Sequence, residues 1–233
     1  MASISALTLQ QRVPSFISIS IGPLLGDVAP LSHDEQTSIS TMASMALSRL
    51  TEFSQGRKHA RQALAQLGVV VTSIPMSADR SPVWPQGVVG SISHMPADAQ
   101  RNQPGWVIAA VAKSEHCAGL GIDLERTECL MPEHWSLFMT ADELASIALQ
   151  PPDQRSELAH GLWSAKEAVM KALTRPSDPH SIEIRVLDGG LSFEAKCRTS
   201  QGSATVNTPS VNGWFAYENG CVLAVAVLPT RPT

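Results

Sequence analysis

Gly121-Ile122-Asp123-Leu124-Glu125, preceded by Ala118-Gly119-Leu120, alternates so that Leu120, Ile122 and Leu124 face one way and Asp123 and Glu125 the other. That period of two predicts a half-buried strand. Residues two apart on one face of a strand lie about 6.6 Å apart, so the two carboxylates project together. Like charges so placed repel, and each raises the pKa of the other unless a cation stands between them. A hard divalent ion such as magnesium, which takes oxygen ligands from one or two carboxylates, water and substrate phosphates, suits the pair. An edge strand with two solvated acids explains it as well.

Outward from this strand, the N-terminal side begins with a second alternating run, Phe16 to Ile21, closed by Gly22-Pro23. Ser32-His33-Asp34-Glu35 has capping-box spacing and opens a long helical region with Ile39, Met42, Ala46, Leu50 and Phe53 at helical spacing. Its length predicts a break near Ser40 or Gly56. Arg49, Arg57, Lys58 and Arg61 form an island of positive charge in this region, suited either to phosphate oxygens or to a solvated helix face. A proline-rich loop, Ile74-Pro75 to Trp84-Pro85, leads to Gly87 to His94, read as a strand whose terminal histidine is placed to donate to a phosphate or simply to meet solvent. Trp106 to Ala112 is a near-continuous apolar strand, and the short polar link Lys113 to His116 predicts an antiparallel hairpin with the carboxylate strand.

On the C-terminal side, Thr140-Ala141-Asp142-Glu143 repeats the capping-box signature. Asp153 is placed to cap a helix running to about Thr174, and Ile182 onward alternates as a series of antiparallel strands.

The chain has 233 residues, 43% hydrophobic and 16% charged, with a formal net charge of -4. These values describe a globular protein with a real core and give no global attraction to nucleic acid or to a membrane surface. The acids collect late: residues 1–120 hold 8 Lys and Arg against 7 Asp and Glu, the remainder 9 against 14. Cys117, Cys129, Cys197 and Cys221 show neither CxxC pairing nor a zinc rhythm, which predicts reduced thiols in a cytoplasmic protein. No run approaches a membrane span, and the first residues fit neither a secretion signal nor an anchor.

On the helix after Asp153, Ala159, Leu162, Trp163, Lys166, Val169, Met170 and Leu173 share one face. Lys166 therefore sits in an apolar stripe, where it either snorkels to water or neutralises an anion on the packed surface. Glu167, at the edge of the stripe with Lys171 one turn on, is a candidate third oxygen ligand or general base; a surface ion pair explains those two alone. Three segments in order carry a resemblance: Gly90-Ser91-Ile92-Ser93-His94, then Gly121 to Glu125, then Trp163-Ser164-Ala165-Lys166-Glu167-Ala168-Val169-Met170-Lys171. Together they resemble the signature motifs of the 4'-phosphopantetheinyl transferase superfamily. Glu52-Phe53, Gly56 to Arg61 and Arg80 to Pro85 are similar to the monomeric, siderophore-forming enterobactin-synthetase-component type.

The resemblance implies an α+β fold of two similar subdomains in a pseudo-twofold arrangement, each a small antiparallel sheet with a long helix. Residues 1–117 would form the half on the coenzyme A nucleotide side, and residues 118–233 the half with the metal and catalytic residues. The implied reaction moves 4'-phosphopantetheine from coenzyme A to a serine of an apo acyl or peptidyl carrier protein and releases 3',5'-ADP. Asp123, Glu125 and Glu167 would hold magnesium, or manganese, with Glu167 as ligand, base or both. Lys166, Lys171 and His94 would contact phosphates, Arg49 and Arg57 the nucleotide end, with Arg80 and Ser91 contributing. Related enzymes often carry a lysine where this chain has Met76-Ser77. A metal-dependent pyrophosphate hydrolase and a noncatalytic binding module are the alternatives.

Overall fold

Residues 11–40, 46–128, 130–174, 178–197 and 210–230 are described by a computed structural model. The chain divides into two compact units, one running to His116 and the other beginning at Cys117. The first unit is a three-stranded antiparallel sheet of β1 (Ser18–Pro23), β2 (Val88–Met95) and β3 (Trp106–Lys113), with the continuously apolar β3 in the middle. The Ser32 capping box forms and starts α1 (His33–Ile39), which ends at Ser40; residues 41–45 lie outside the described residues. Helix α2 (Leu47–Gln66) packs Ala60, Ala63 and Leu64 on Ala109 and Val111 of β3.

Gly56 does not break α2. A Cβ there would meet Ile92 of β2 at 3.0 Å, so the glycine marks a close helix-to-sheet approach. Glu35, fully buried, extends its capping role: it accepts from the Ser32 and Ile74 amides and pairs with Arg61. Part of the positive island is thus consumed in holding the segment around Ile74 against α1.

The second unit is a five-stranded antiparallel sheet in the order β4-β8-β7-β6-β5. It comprises β4 (Gly119–Arg126), β5 (Ile182–Leu187), β6 (Ser192–Cys197), β7 (Val211–Glu218) and β8 (Cys221–Leu228). The predicted hairpin of β3 with β4 does not form: β3 pairs with β1 and β2, and β4 pairs along its whole length with β8. The short link at Lys113 to His116 is a boundary between units, which proximity in sequence cannot distinguish from a hairpin turn. Thr140 caps α3 (Ala141–Ala148) as predicted. Helix α4 (Pro152–Leu173) starts from Pro151 without a side-chain cap, so Asp153 stands in its first turn instead, where its charge complements the helix dipole.

Helix α4 lays Leu162, Ala165, Ala168, Val169 and Ala172 on a core that includes Phe193, Phe215, Val222 and Ala224. Strand β4 is buried on both faces rather than half-buried, because α4 covers the carboxylate face. Cys117, Cys197 and Cys221 form no disulfide among the described residues, and Cys129 lies outside them. Among the described residues no helix is long and apolar enough to cross a membrane.

His59 of α2 is buried, with Nδ1 2.8 Å from Ser20 Oγ. Burial, with a smaller push from Lys58, takes its pKa from 6.5 down to about 4. Between those values the unfolded chain holds more protons, so stability rises with pH across the window. The contribution of the neutral imidazole is complete above pH 6.5 and is lost as pH falls toward 4. The urea midpoint of the wild type should therefore drop more steeply from pH 6.5 to pH 4 than that of His59→Gln; parallel slopes would mean that His59 is not buried neutral.

Candidate active site

The carboxylate patch is built by a backbone contact. A Cβ at Gly119 or Gly121 would overlap the carbonyl oxygen of Ala172 or Ala168, so α4 crosses β4 at a distance that only glycine on the strand permits. Strand alternation places Asp123 and Glu125 on the same face, further along the helix. Ser164 Oγ donates to the Asp123 carbonyl at 3.2 Å and ties the two elements there. Lys171 reaches across from α4: its Nζ donates to Asp123 Oδ1 at 2.7 Å and to the Ile122 carbonyl at 3.1 Å.

Glu125 is partly buried, and its pKa is pushed up to about 7. Burial is the main cause, the Asp123 charge adds to it, Lys171 opposes, Glu167 adds again, and a hydrogen bond from Trp163 works slightly against the shift. Glu167, one turn before Lys171, is raised by burial and by Asp123 against the opposing Lys171. Three carboxylates thus share one desolvated patch with one ammonium. Fully ionised, the four groups carry two negative charges, and burial, with the neighbouring acids adding to it, raises the pKa of Glu125 and Glu167. Among the described residues, no three of His, Cys, Asp or Glu converge as a ready-made metal cage. An all-oxygen set beside a lysine nevertheless fits magnesium, which takes one or two carboxylates and completes its shell with water and substrate phosphates.

Lys166 departs from its expected role. It has no exposed surface, and its Nζ donates to Glu143 at 2.7 Å and to the carbonyls of Phe138 at 2.9 Å and Pro179 at 2.8 Å. With all three donors engaged inside the unit it offers nothing to a phosphate in this structure. Helical geometry explains the difference: Glu167 and Lys171 share a face, whereas Lys166 is turned about 100° away toward the core.

In the first unit, Arg49 at the start of α2 and His94 on β2 come together around Glu52. Arg49 Nη1 lies 3.0 Å from Glu52 Oε2, and His94 Nε2 lies 2.9 Å from the same oxygen and 3.3 Å from Arg49 Nη1. Arg57 is buried instead: Nε donates to the Ile74 carbonyl at 2.6 Å, and the guanidinium stacks 4.2 Å over the Phe53 ring. Burial lowers its pKa to about 10, opposed by Glu35 and assisted by Arg61. Its place is that of a core cation holding the Ile74 segment. Arg80 is exposed at a left-handed position in the turn between Ser77 and Ser81. Ser91, three residues from His94 on the same strand, projects to the opposite face of the sheet.

Sequence reasoning assigned no role to Trp163, Ser164 or Glu52. The signal was available for Trp163 and Ser164, which precede Glu167 by one helical turn and so border its face.

Residues 29–99 match the family model described as the 4'-phosphopantetheinyl transferase N-terminal domain, and residues 119–216 match that of the 4'-phosphopantetheinyl transferase superfamily. The chain is 31% identical over 191 residues to the 4'-phosphopantetheinyl transferase Svp of Streptomyces mobaraensis, covering 77% of this chain and 72% of Svp. It is 32% identical over 208 residues to enterobactin synthase component D of Salmonella typhimurium, covering 82% and 77%. A third relative, the 4'-phosphopantetheinyl transferase Npt of Nocardia iowensis, is 34% identical over 131 residues, covering 53% and 51%. The chain therefore belongs to the 4'-phosphopantetheinyl transferase superfamily and is an enzyme that transfers 4'-phosphopantetheine from coenzyme A to a carrier protein. A role as a noncatalytic binding module is set aside.

The glycine contact makes a direct prediction. Gly121→Ala should force α4 away from β4, costing about 1–3 kcal/mol as overpacking does. Transfer activity should fall further than the loss of folded protein accounts for. Urea unfolding alongside a transfer assay separates the two, and a Gly121→Ala enzyme of wild-type stability and activity would contradict the contact.

Proposed function

We propose that the transfer depends on magnesium, that Asp123, Glu125 and Glu167 hold the ion, and that Glu167 is also the general base. The observation carrying this reading is the single patch in which three partly or fully buried carboxylates face one lysine. When bound, the ion would supply positive charge against the pyrophosphate of coenzyme A as charge develops there. Glu167 takes the proton of the attacking carrier serine. The serine oxygen bonds to the phosphorus that carries pantetheine, and the bond from that phosphorus to the bridging oxygen breaks, releasing 3',5'-ADP with the electron pair. Lys171 exchanges part of its contact with Asp123 for a phosphate oxygen, and Arg49, His94 and the exposed Arg80 offer donors to the nucleotide phosphates.

The name of one relative, enterobactin synthase component D, supports a carrier protein of siderophore or other secondary metabolism, of the nonribosomal peptide or polyketide kind. We place the enzyme in the cytoplasm, where the thiols of Cys117, Cys197 and Cys221 would stay reduced. In this reading it acts as a monomer.

The test is the intact mass of an apo carrier protein incubated with the enzyme, coenzyme A and magnesium. It should gain one phosphopantetheine, lose the gain with EDTA and regain it with added magnesium. Glu167→Gln should lower turnover about 10²- to 10⁴-fold while coenzyme A still binds. Turnover insensitive to EDTA would reject the metal, and full turnover in Glu167→Gln would reject the base.

A further inference from the structure

Lys166 is a fully buried lysine next in sequence to the proposed base. A buried charge is costly unless it is paired and each donor is satisfied, and replacing such a pair by apolar residues is often neutral or stabilising. Packing alone therefore does not call for an ion pair here. What an ammonium with three fixed acceptors adds is direction. The acceptors are Glu143 Oε2, the Phe138 carbonyl and the Pro179 carbonyl, and they come from three segments around α4.

Glu143 is itself fixed. Its Oε2 accepts from the Thr140 amide at 2.8 Å, closing the cap of α3, and its Oε1 accepts from the Ile184 amide of β5 at 2.9 Å. The pair thus ties the middle of α4 to the start of α3, to β5, and to the chain just before each of them. None of these partners belongs to the carboxylate patch.

The glycine contact with β4 sets how close α4 lies to the strand; the Lys166 anchor on another side adds a fixed point against rotation. A side-chain group lies roughly 5 Å from the axis of its helix, so a 10° rotation carries it about 0.9 Å. A misplacement of about 1 Å can cost on the order of 10²-fold in rate. We propose that Lys166, held by Glu143, is a positioning residue that fixes the rotation of α4 and thereby the placement of Glu167 against the reacting serine. The proposal rests on Glu167 being the base.

The test is a kinetic cycle. Lys166→Met combined with Glu143→Gln removes both charges and keeps the volumes close. The pair substitution should lower kcat about 10- to 100-fold per folded molecule, with the KM for coenzyme A within about twofold and the unfolding transition still cooperative. In a Glu167→Gln background the same pair should cost less than about threefold more, because the group it places is already gone. Glu143→Asp keeps the charges but withdraws the carboxylate by one carbon; it carries the same expectation and decides the matter if the pair substitution does not fold. An unchanged kcat per folded molecule, or the full loss repeated in the Glu167→Gln background, would overturn the positioning role. Full turnover in Glu167→Gln alone would overturn the base assignment, and the positioning role with it.

Discussion

The contact of α4 with β4 across Gly119 and Gly121 is the constraint on which the site depends. Two elements cannot approach so closely where a side chain intervenes, and here the carbonyl oxygens of Ala168 and Ala172 occupy the space a Cβ would need. The close approach lets one helix face and one strand face act as a single surface. Asp123 and Glu125 from the strand, and Glu167 and Lys171 from the helix, come into one another's field only because nothing wider than a hydrogen separates the backbones two residues earlier. The two glycines are thus as much part of the site as the acids.

Electrostatics on that surface is deliberately unbalanced. Burial favours the neutral forms of Glu125 and Glu167, and the neighbouring acids add to the effect, while Lys171 opposes both and a hydrogen bond from Trp163 opposes it at Glu125. A site meant only for stability would carry a second cation or lose an acid. A site whose counter-charge arrives as a bound cation would look as this one does, with Glu125 drawn up to about 7 and Lys171 resting on Asp123. Lys166 shows the opposite solution a single residue away: a charge fully balanced, fully bonded and committed to structure.

Much of this was legible in the sequence. Both capping boxes name their own hydrogen bonds, since the side chains involved are three residues apart. The alternation of Gly121 to Glu125 and the helical spacing of Glu167 with Lys171 fix which groups share a face. What local pattern does not encode is which strand is the partner. The run from Trp106 to Glu125 reads as a hairpin, yet β4 pairs with β8, a hundred residues later. Pattern also does not say how a cation is spent. Arg57 and Lys166 look like phosphate ligands because they are basic and lie beside motif residues, but Arg57 goes to the Ile74 carbonyl and Lys166 to Glu143, both buried. The placement of Lys166 in an apolar stripe was the clue, and of its two readings the neutralised anion is the one found. Gly56 misled for a similar reason, since a glycine inside a helix signals either a break or a close approach, and only Ile92 on another element decides between them.

The role proposed for the strand and helix carboxylates is to hold a divalent ion together with coenzyme A. The most direct measurement is the electron paramagnetic resonance signal of Mn²⁺ titrated with the enzyme, in the presence and absence of coenzyme A, for the wild type and for Asp123→Ala. The free Mn²⁺ signal should be lost at one ion per wild-type chain when coenzyme A is present, with little loss for Asp123→Ala beyond what coenzyme A alone produces. Equal binding by the two proteins would contradict it.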